Sequence, residues 1–419
     1  MKKTALKLAA VSIALALGSV ASAKEGPVPT GIPHLDHVYV ILMENHGFNQ
    51  IVGNPNAPWT NAWAKAANMA KNYFAIAHPS LTNYLEIVGG SNFGVLSDLA
   101  PDWHNNACTS NLIAGAVSNE SVSTPICPIF GTGKEAATPA LDLTNESSGP
   151  PGTINIDGTM SIPAAANITG MTIADQLVGR GKLWKTYQES LPMRGANRVE
   201  YSDGVYDNLT DFSKITPALN PALSQGDVVK LYAVKHNPFA YFANVQAGKD
   251  PKNSFANIAG FDGPGGLYAD LQSGAAPAFS FIAPNQCNDQ HGRGNAGKFC
   301  NYDPTDDGTQ AGLNPALIHR GDVALQQIVT SIKSSPSWNT GHNAIVVVWD
   351  ENDYSTAPNT NQVLLVVDTN YGTHGTHSAR FYTHYSLLKT LEAGFGLPCL
   401  NHACDSDEHV MTDLFAATP

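Results

Sequence analysis

Four short segments of this chain are apolar at nearly every residue, and that constrains the fold more than any other feature. They are Val38 to Met43, Ala278 to Ala283, Ala344 to Trp349 and Val363 to Val367. A strand with one wet face alternates apolar and polar residues. A continuous apolar run rich in β-branched residues reads instead as a strand covered on both faces. Helices supply that cover, and helical patterns lie between the runs: Asn61 to Lys71, Leu81 to Val88, Ile173 to Leu177, Asp322 to Ile332 and His384 to Ala393. The alternation predicts an α/β fold with a largely parallel central sheet flanked by helices. A length of 419 residues is compatible with roughly two or three domains. No repeat and no clear linker divides the chain, so a single domain over 24–419 is expected. A loop-rich insertion at about 102–168, dense in Ser, Thr, Asn, Gly and Pro, would form part of it.

Residues 1–23 start with Lys2, Lys3 and Lys7, continue apolar from Leu8 to Leu17 and end in Ala21-Ser22-Ala23. This is the pattern of a secretory signal peptide cut before Lys24, and it implies a periplasmic or secreted product. The apolar run is shorter than the roughly 20 residues a membrane span needs, so no stable membrane anchor is expected. In an oxidising compartment the six cysteines suggest disulfides, most simply between sequence neighbours: Cys108 with Cys127, Cys287 with Cys300, and Cys399 with Cys404. The chain has 35 acidic against 23 basic residues, a net charge of -12. It therefore lacks the clustered positive charge of a nucleic-acid binder, and no nucleic-acid partner is expected.

Two of the apolar runs end abruptly in acids. Glu44 and Asn45 follow the first, and Asp350 and Glu351 follow Trp349 some 300 residues later. In open parallel sheets ligands gather beyond the carboxyl ends of strands. If both strands are central, their tips bring four hard oxygen donors to one spot, which suits a divalent cation such as Ca²⁺, Mg²⁺ or Mn²⁺. The plainer reading is that strand ends emerge into water, where acids are ordinary. A third element is His78-Pro79-Ser80-Leu81-Thr82-Asn83-Tyr84, which opens a helix and places Ser80 near its N-cap, where N–H groups favour negative charge. Ser80 as a simple cap is the alternative there.

These segments, together with Trp184 to Glu189, Lys235 to Pro238, Trp349 to Glu351 and Thr383 to Leu397, resemble the secreted bacterial phosphoesterases that comprise acid phosphatases and phospholipases C, within the alkaline phosphatase-like superfamily. The resemblance runs in order from about residue 36 to 400. It implies one divalent metal ion held by Glu44, Asn45, Asp350 and Glu351, with Ser80 as nucleophile and further ligand. It also implies that Asn83 donates to a phosphate oxygen. The chain departs from many relatives at Thr82, where they carry Pro, and Thr82 stands as rival nucleophile.

The residues suit that chemistry on their own terms. A serine hydroxyl attacks phosphorus only once its proton is lost, and a bound cation lowers that cost. Histidines are natural proton donors to a leaving oxygen. His236 and His291 resemble active-site positions of the relatives. His374, His377 and His384 group near the last strand, and His384 and Lys185 are candidate substrate-binding residues, as is Glu189 for the pocket wall. The expected function is metal-dependent hydrolysis of phosphate esters through a phosphoserine, with a small-molecule or lipid phosphate ester as substrate. The alternatives are a phospholipase C acting on head groups and, more remotely, a non-catalytic metal-stabilised binding protein. The Gly-x-Ser-x-Gly pentapeptide of α/β-hydrolases and the HExxH of zinc proteases are absent from the sequence. Ser190 to Arg194 fits a sulfatase signature only loosely and lies far from the strand-end acids. The Gly292 to Lys298 run lacks the Ser or Thr that closes a phosphate-binding loop, and Asp303 to Gly308 lacks the spacing and closing Glu of an EF-hand.

Overall fold

A computed structural model describes residues 25–93, 95, 98, 168–191, 204–205, 211–216, 218–219, 221–224, 228–229, 231–292, 300, 315–352 and 361–415. The expected leader, nearly all of the 102–168 insertion, Cys108, Cys127, the run after Gly292 and the acidic loop at 303–308 lie outside the described residues.

The strands in chain order are β1 (His37–Met43), β2 (Asn68–Phe74), β3 (Trp184–Gln188), β4 (Gly204–Val205), β5 (Val228–Val229), β6 (Ile258–Gly260), β7 (Phe279–Ala283), β8 (Asn343–Trp349), β9 (Gln362–Thr369), β10 (His377–Ser378) and β11 (Tyr382–Thr383). Nine of them form one sheet in the order β10-β2-β9-β8-β1-β7-β3-β6, with β11 also on β2, while β4 and β5 pair separately. β1 sits at the centre, parallel to β8 through Val40↔Val346 and to β7 through Val40↔Phe281. β3 continues the parallel set on β7 and β6. Every residue of β7 and β8 is buried, as their unbroken apolar runs require. The helices form two groups, Pro58–Ala66 with Leu267–Ser273 and Pro315–Lys333, and Ser80–Gly89 with Ile173–Gly179 and His384–Phe395. The architecture is mixed α/β, with a central, mostly parallel sheet flanked by helices.

Two expectations are corrected. β9 is antiparallel to both β8 and β2, so its apolar run carries the right burial but the opposite direction. The helix expected over Asn61 to Lys71 ends at Ala66, and Asn68–Phe74 is a strand. A register shift between Ala70 and Tyr73 breaks the alternation of β2, which hid it among good helix formers; pairing with β9 overrides that local preference.

The helix Ser80–Gly89, which begins on the nucleophile candidate, is buried along its whole length. It stops at Gly90, whose φ of 69° is left-handed, and a Cβ there would stand 2.4 Å from the carbonyl oxygen of Leu400. The helix His384–Phe395 packs against it, capped by the Thr383 hydroxyl on the N–H groups of Tyr385 and Ser386. Disulfides close Cys287–Cys300 and Cys399–Cys404, as expected. Among the described residues no helix is long and apolar enough to cross a membrane.

Glu392 shows how that helix carries its own titration. Its Oε1 accepts the N–H of Leu400, Oε2 has no hydrogen-bond partner among the described residues, and burial raises its carboxyl well above the ordinary range. A carboxyl raised in the folded state stabilises fully below the unfolded value and loses that contribution as pH rises toward the folded one. Glu392→Gln should therefore raise the melting temperature at pH 8 and change it little at pH 4, checked by thermal unfolding at both.

Candidate active site

Because β1, β8, β7 and β3 run parallel, their carboxyl ends meet at one edge, and the loops that follow them converge. Glu44 and Asn45 leave β1, Asp350 to Asn352 leave β8, and Asp289 to His291 lie on the loop after β7. Backbone hydrogen bonds stitch these tips together: Asp350 N–H donates to Met43 O at 3.0 Å, and Glu44 N–H to Asp289 O at 2.9 Å. Asn45 N–H donates to Asp350 Oδ1 at 3.1 Å. Asn45 has φ 53°, a left-handed conformation that Asn tolerates better than most residues and that turns the chain back over the site.

Ser80 is brought to these tips. Its Oγ lies 3.0 Å from Glu44 Oε2 and 3.2 Å from Glu351 Oε1, so its single proton serves either carboxylate. It is the first residue of its helix, with Pro79 at the N-cap, so it stands beside the cap position and does not fill it. Tyr84, one turn later on the same helix face, donates to Glu44 Oε1 at 2.6 Å. His78 places Nδ1 2.9 Å from Glu351 Oε2 and Nε2 3.2 Å from Asn352 Oδ1. Thr82 turns elsewhere and donates to Val95 O at 3.1 Å.

Asn83, the expected phosphate donor, is engaged by its own helix approach. Its Oδ1 accepts the N–H groups of Ile76 and Ala77, while Nδ2 donates to Ala77 O at 2.7 Å and to Glu351 Oε2 at 3.1 Å. It braces the segment that leads from β2 into Ser80.

His236 sits between two acids, with Nε2 3.0 Å from Glu44 Oε1 and Nδ1 3.2 Å from Asp289 Oδ2, and its ring stacks on Tyr84. Each ring nitrogen thus faces a carboxylate oxygen at ion-pair distance. His291 is half-buried, with Nε2 3.2 Å from Lys235 Nζ and Nδ1 2.6 Å from Gly292 O. An ammonium can only donate, which makes Nε2 of His291 the acceptor and puts its proton on Nδ1. Lys235 is in turn paired with Asp98 Oδ2 at 2.6 Å.

His384 and Lys185, the expected substrate-binding residues, have protein partners in the structure. His384 is fully buried, with Nε2 2.7 Å from Asp350 O and Nδ1 2.8 Å from Tyr73 Oη, so it props the β8 tip from below. Burial lowers its pKa to about 4. Lys185 Nζ is held by Asp270 and by Gly265 O, away from the Ser80 cluster. Glu189 accepts from Asn285 N–H and Asn288 Nδ2 and so braces the loop of Asp289. His374 and His377 follow β9, whose antiparallel course delivers them to the opposite edge of the sheet, where His374 lies 3.8 Å from Asp368.

The electrostatics favour positive charge. Burial first, then the neighbouring acids, raises Asp350 and Glu351 well above the ordinary carboxylate range. Glu44 is raised to about 7 by burial, against which the Lys235 ammonium acts most strongly. Asp350 Oδ2 is buried without a hydrogen-bond donor among the described residues. Among the described residues no three His, Cys, Asp or Glu side chains form a ready metal-holding group. Glu44 and Glu351 instead hold the Ser80 hydroxyl between them and are steadied by Tyr84 and His78, while Asp350 accepts the N–H of Asn45. The donor chemistry nevertheless fits a hard divalent cation: three carboxylates, one of them with an unsatisfied oxygen, beside an amide and a hydroxyl.

Residues 54–300 and 308–398 match the Phosphoesterase family. The chain belongs to that family. As a phosphoesterase it is a hydrolase acting on phosphoric ester bonds. It is 25% identical over 403 residues to a phosphatidylinositol-3-phosphatase of Mycobacterium tuberculosis, covering 95% of this chain and 89% of that one. It is 22% identical over 363 residues to an acid phosphatase of Aspergillus fumigatus, where the match covers 86% of this chain and spans 55% of the fungal protein. A solved structure of a protein in the alkaline phosphatase superfamily from Vibrio parahaemolyticus is similar, with a TM-score of 0.44 and 14% identity over 90% of this chain and 69% of that one.

Sequence reasoning missed the roles of His78, Tyr84, Lys235, Asp98 and Asp289. The first three flank residues it had chosen, and the four-residue spacing of Tyr84 from Ser80 was a usable signal. Asp98 and Asp289 carry no local signal. For Asn83, replacement by Ala would strand the N–H groups of Ile76 and Ala77; a loss of about 2 kcal/mol in urea unfolding is expected, with reduced phosphate release.

Proposed function

We propose that this phosphoesterase hydrolyses phosphomonoesters through a phosphoserine on Ser80. The observation that carries the reading is the Ser80 hydroxyl held between Glu44 and Glu351, two carboxylates from strand tips far apart in sequence. Ser80 Oγ attacks phosphorus as its proton passes along the existing hydrogen bond to Glu44 Oε2. The ester oxygen leaves and takes a proton from His236, which Asp289 orients from its other nitrogen. Water then attacks the phosphoserine, releases inorganic phosphate and restores the hydroxyl.

Glu44, Asn45, Asp350 and Glu351, with Ser80, would hold one divalent cation; Ca²⁺, Mg²⁺ and Mn²⁺ match this oxygen-only set. When bound, such an ion supplies the positive charge that lowers the cost of the serine alkoxide and of the phosphoryl oxygens. Tyr84 and His78 keep Glu44 and Glu351 in orientation whatever the ion.

The names of the relatives point to monoesters, one on a lipid head group. We therefore favour a small-molecule or lipid phosphomonoester as substrate over the phospholipase C reaction. The leader pattern and the two disulfides support action in the periplasm or outside the cell.

Ser80→Ala should lower phosphate release from p-nitrophenyl phosphate by at least about 1,000-fold, with no phosphoserine found by mass spectrometry after acid quench. Undiminished turnover in that variant would remove Ser80 from the mechanism. Dialysis against EDTA should abolish activity, and Glu44→Ala or Asp350→Ala should lower the metal retained on purification, read by elemental analysis. Release of phosphocholine rather than inorganic phosphate would favour the phospholipase C reading.

A further inference from the structure

Lys235 is a lysine in an expensive place. It is 3% exposed, and its ammonium lies 2.6 Å from Asp98 Oδ2. Buried ion pairs of this kind contribute little net stability, so the pair invites a role beyond holding the fold. It is also tied directly to the nucleophile's turn: Asp98 Oδ1 accepts the N–H of Leu81, the residue after Ser80, at 3.0 Å. Nζ also lies 3.2 Å from Nε2 of the half-buried His291. The next residue along the chain, His236, reaches Glu44. Through Asp98, these contacts tie the Lys235 ammonium to the turn that carries Ser80, while His236 beside it faces Glu44.

We propose that the Lys235 ammonium, oriented by Asp98, binds the non-bridging phosphoryl oxygens and selects dianionic phosphomonoesters over monoanionic diesters. The inference rests on the reading of Ser80 as nucleophile. A monoester phosphoryl group carries about -1.5 to -2 charge and three non-bridging oxygens near neutral pH. A diester carries one charge and two such oxygens. A fixed ammonium in a water-poor site therefore attracts the first more strongly. Asp98 acts as a positioning residue: its carboxylate is shared between Leu81 N–H and Nζ, which fixes where the positive charge stands relative to Ser80.

Lys235→Met alone would leave Asp98 buried without its cation, so the test uses Lys235→Met combined with Asp98→Asn, which keeps an acceptor for Leu81 N–H. The second variant is Lys235→Arg. Activity is measured on p-nitrophenyl phosphate and bis(p-nitrophenyl) phosphate, with inorganic phosphate as inhibitor and circular dichroism and metal content as controls on folding. The double variant should lose roughly 100-fold in kcat/KM on the monoester and about ten times less on the diester, with phosphate inhibition weakened in parallel. Lys235→Arg should retain most of the preference for the monoester. Equal losses on both substrates, or phosphate inhibition unchanged in the double variant, would overturn the role of Lys235 while leaving Ser80 as nucleophile. Undiminished activity of Ser80→Ala in the same assay would overturn both.

Discussion

Three carboxylates, Glu44, Asp350 and Glu351, are buried together at two strand tips, two of them against one serine hydroxyl, and the rest of the site is arranged to make that crowding tolerable. Burying like charges together is costly, as the upward shifts of all three groups show. Tyr84, His78, His236 and the N–H of Asn45 each donate to, or face, one of these oxygens. They divide the negative charge and fix each carboxyl in one orientation. Further donors or a cation would relieve such crowding, and this is the physical basis of the proposed metal site.

The sheet makes the crowding possible. Parallel strands deliver every carboxyl end to one edge, so residues separated by some 300 positions meet without any local preference for doing so. The helix Ser80–Gly89 then enters along that edge, its position set by burial on all sides and by the stop at Gly90 against Leu400. The helix His384–Phe395 packs against it and places His384 beneath the carbonyl of Asp350. A histidine whose two nitrogens are committed to a carbonyl and to Tyr73 holds geometry, and its lowered pKa keeps it neutral in that task.

Function followed from combinations rather than from single residues. Glu44 with Asn45, Asp350 with Glu351, and Ser80 were legible because each ends or begins an element whose pattern is unambiguous. His291 and His236 were legible as candidates, but their partners were not. Asp289, which orients His236, and Asp98, which holds Lys235, stand in loops where no periodicity marks them. Lys185 and His384 were likewise legible as candidates, while their partners, Asp270 and the Asp350 carbonyl, were not.

The amino-acid sequence alone determined that this chain builds a sheet covered on both faces, that acids stand at two of its strand tips, and that a serine opens a buried helix. Hydrophobic pattern carries such information because burial of a whole segment is a property of that segment. Strand direction, partner identity and side-chain commitment are properties of pairs, and only the tertiary structure decided them. The antiparallel course of β9 sent His374 and His377 to the far edge, and pairing with β9 turned Asn68–Phe74 from helix into strand. Close packing then set Asp98 and Lys235 beside the turn that carries Ser80, and Asp289 beside His236, where long-range contacts rather than local propensity fix each position.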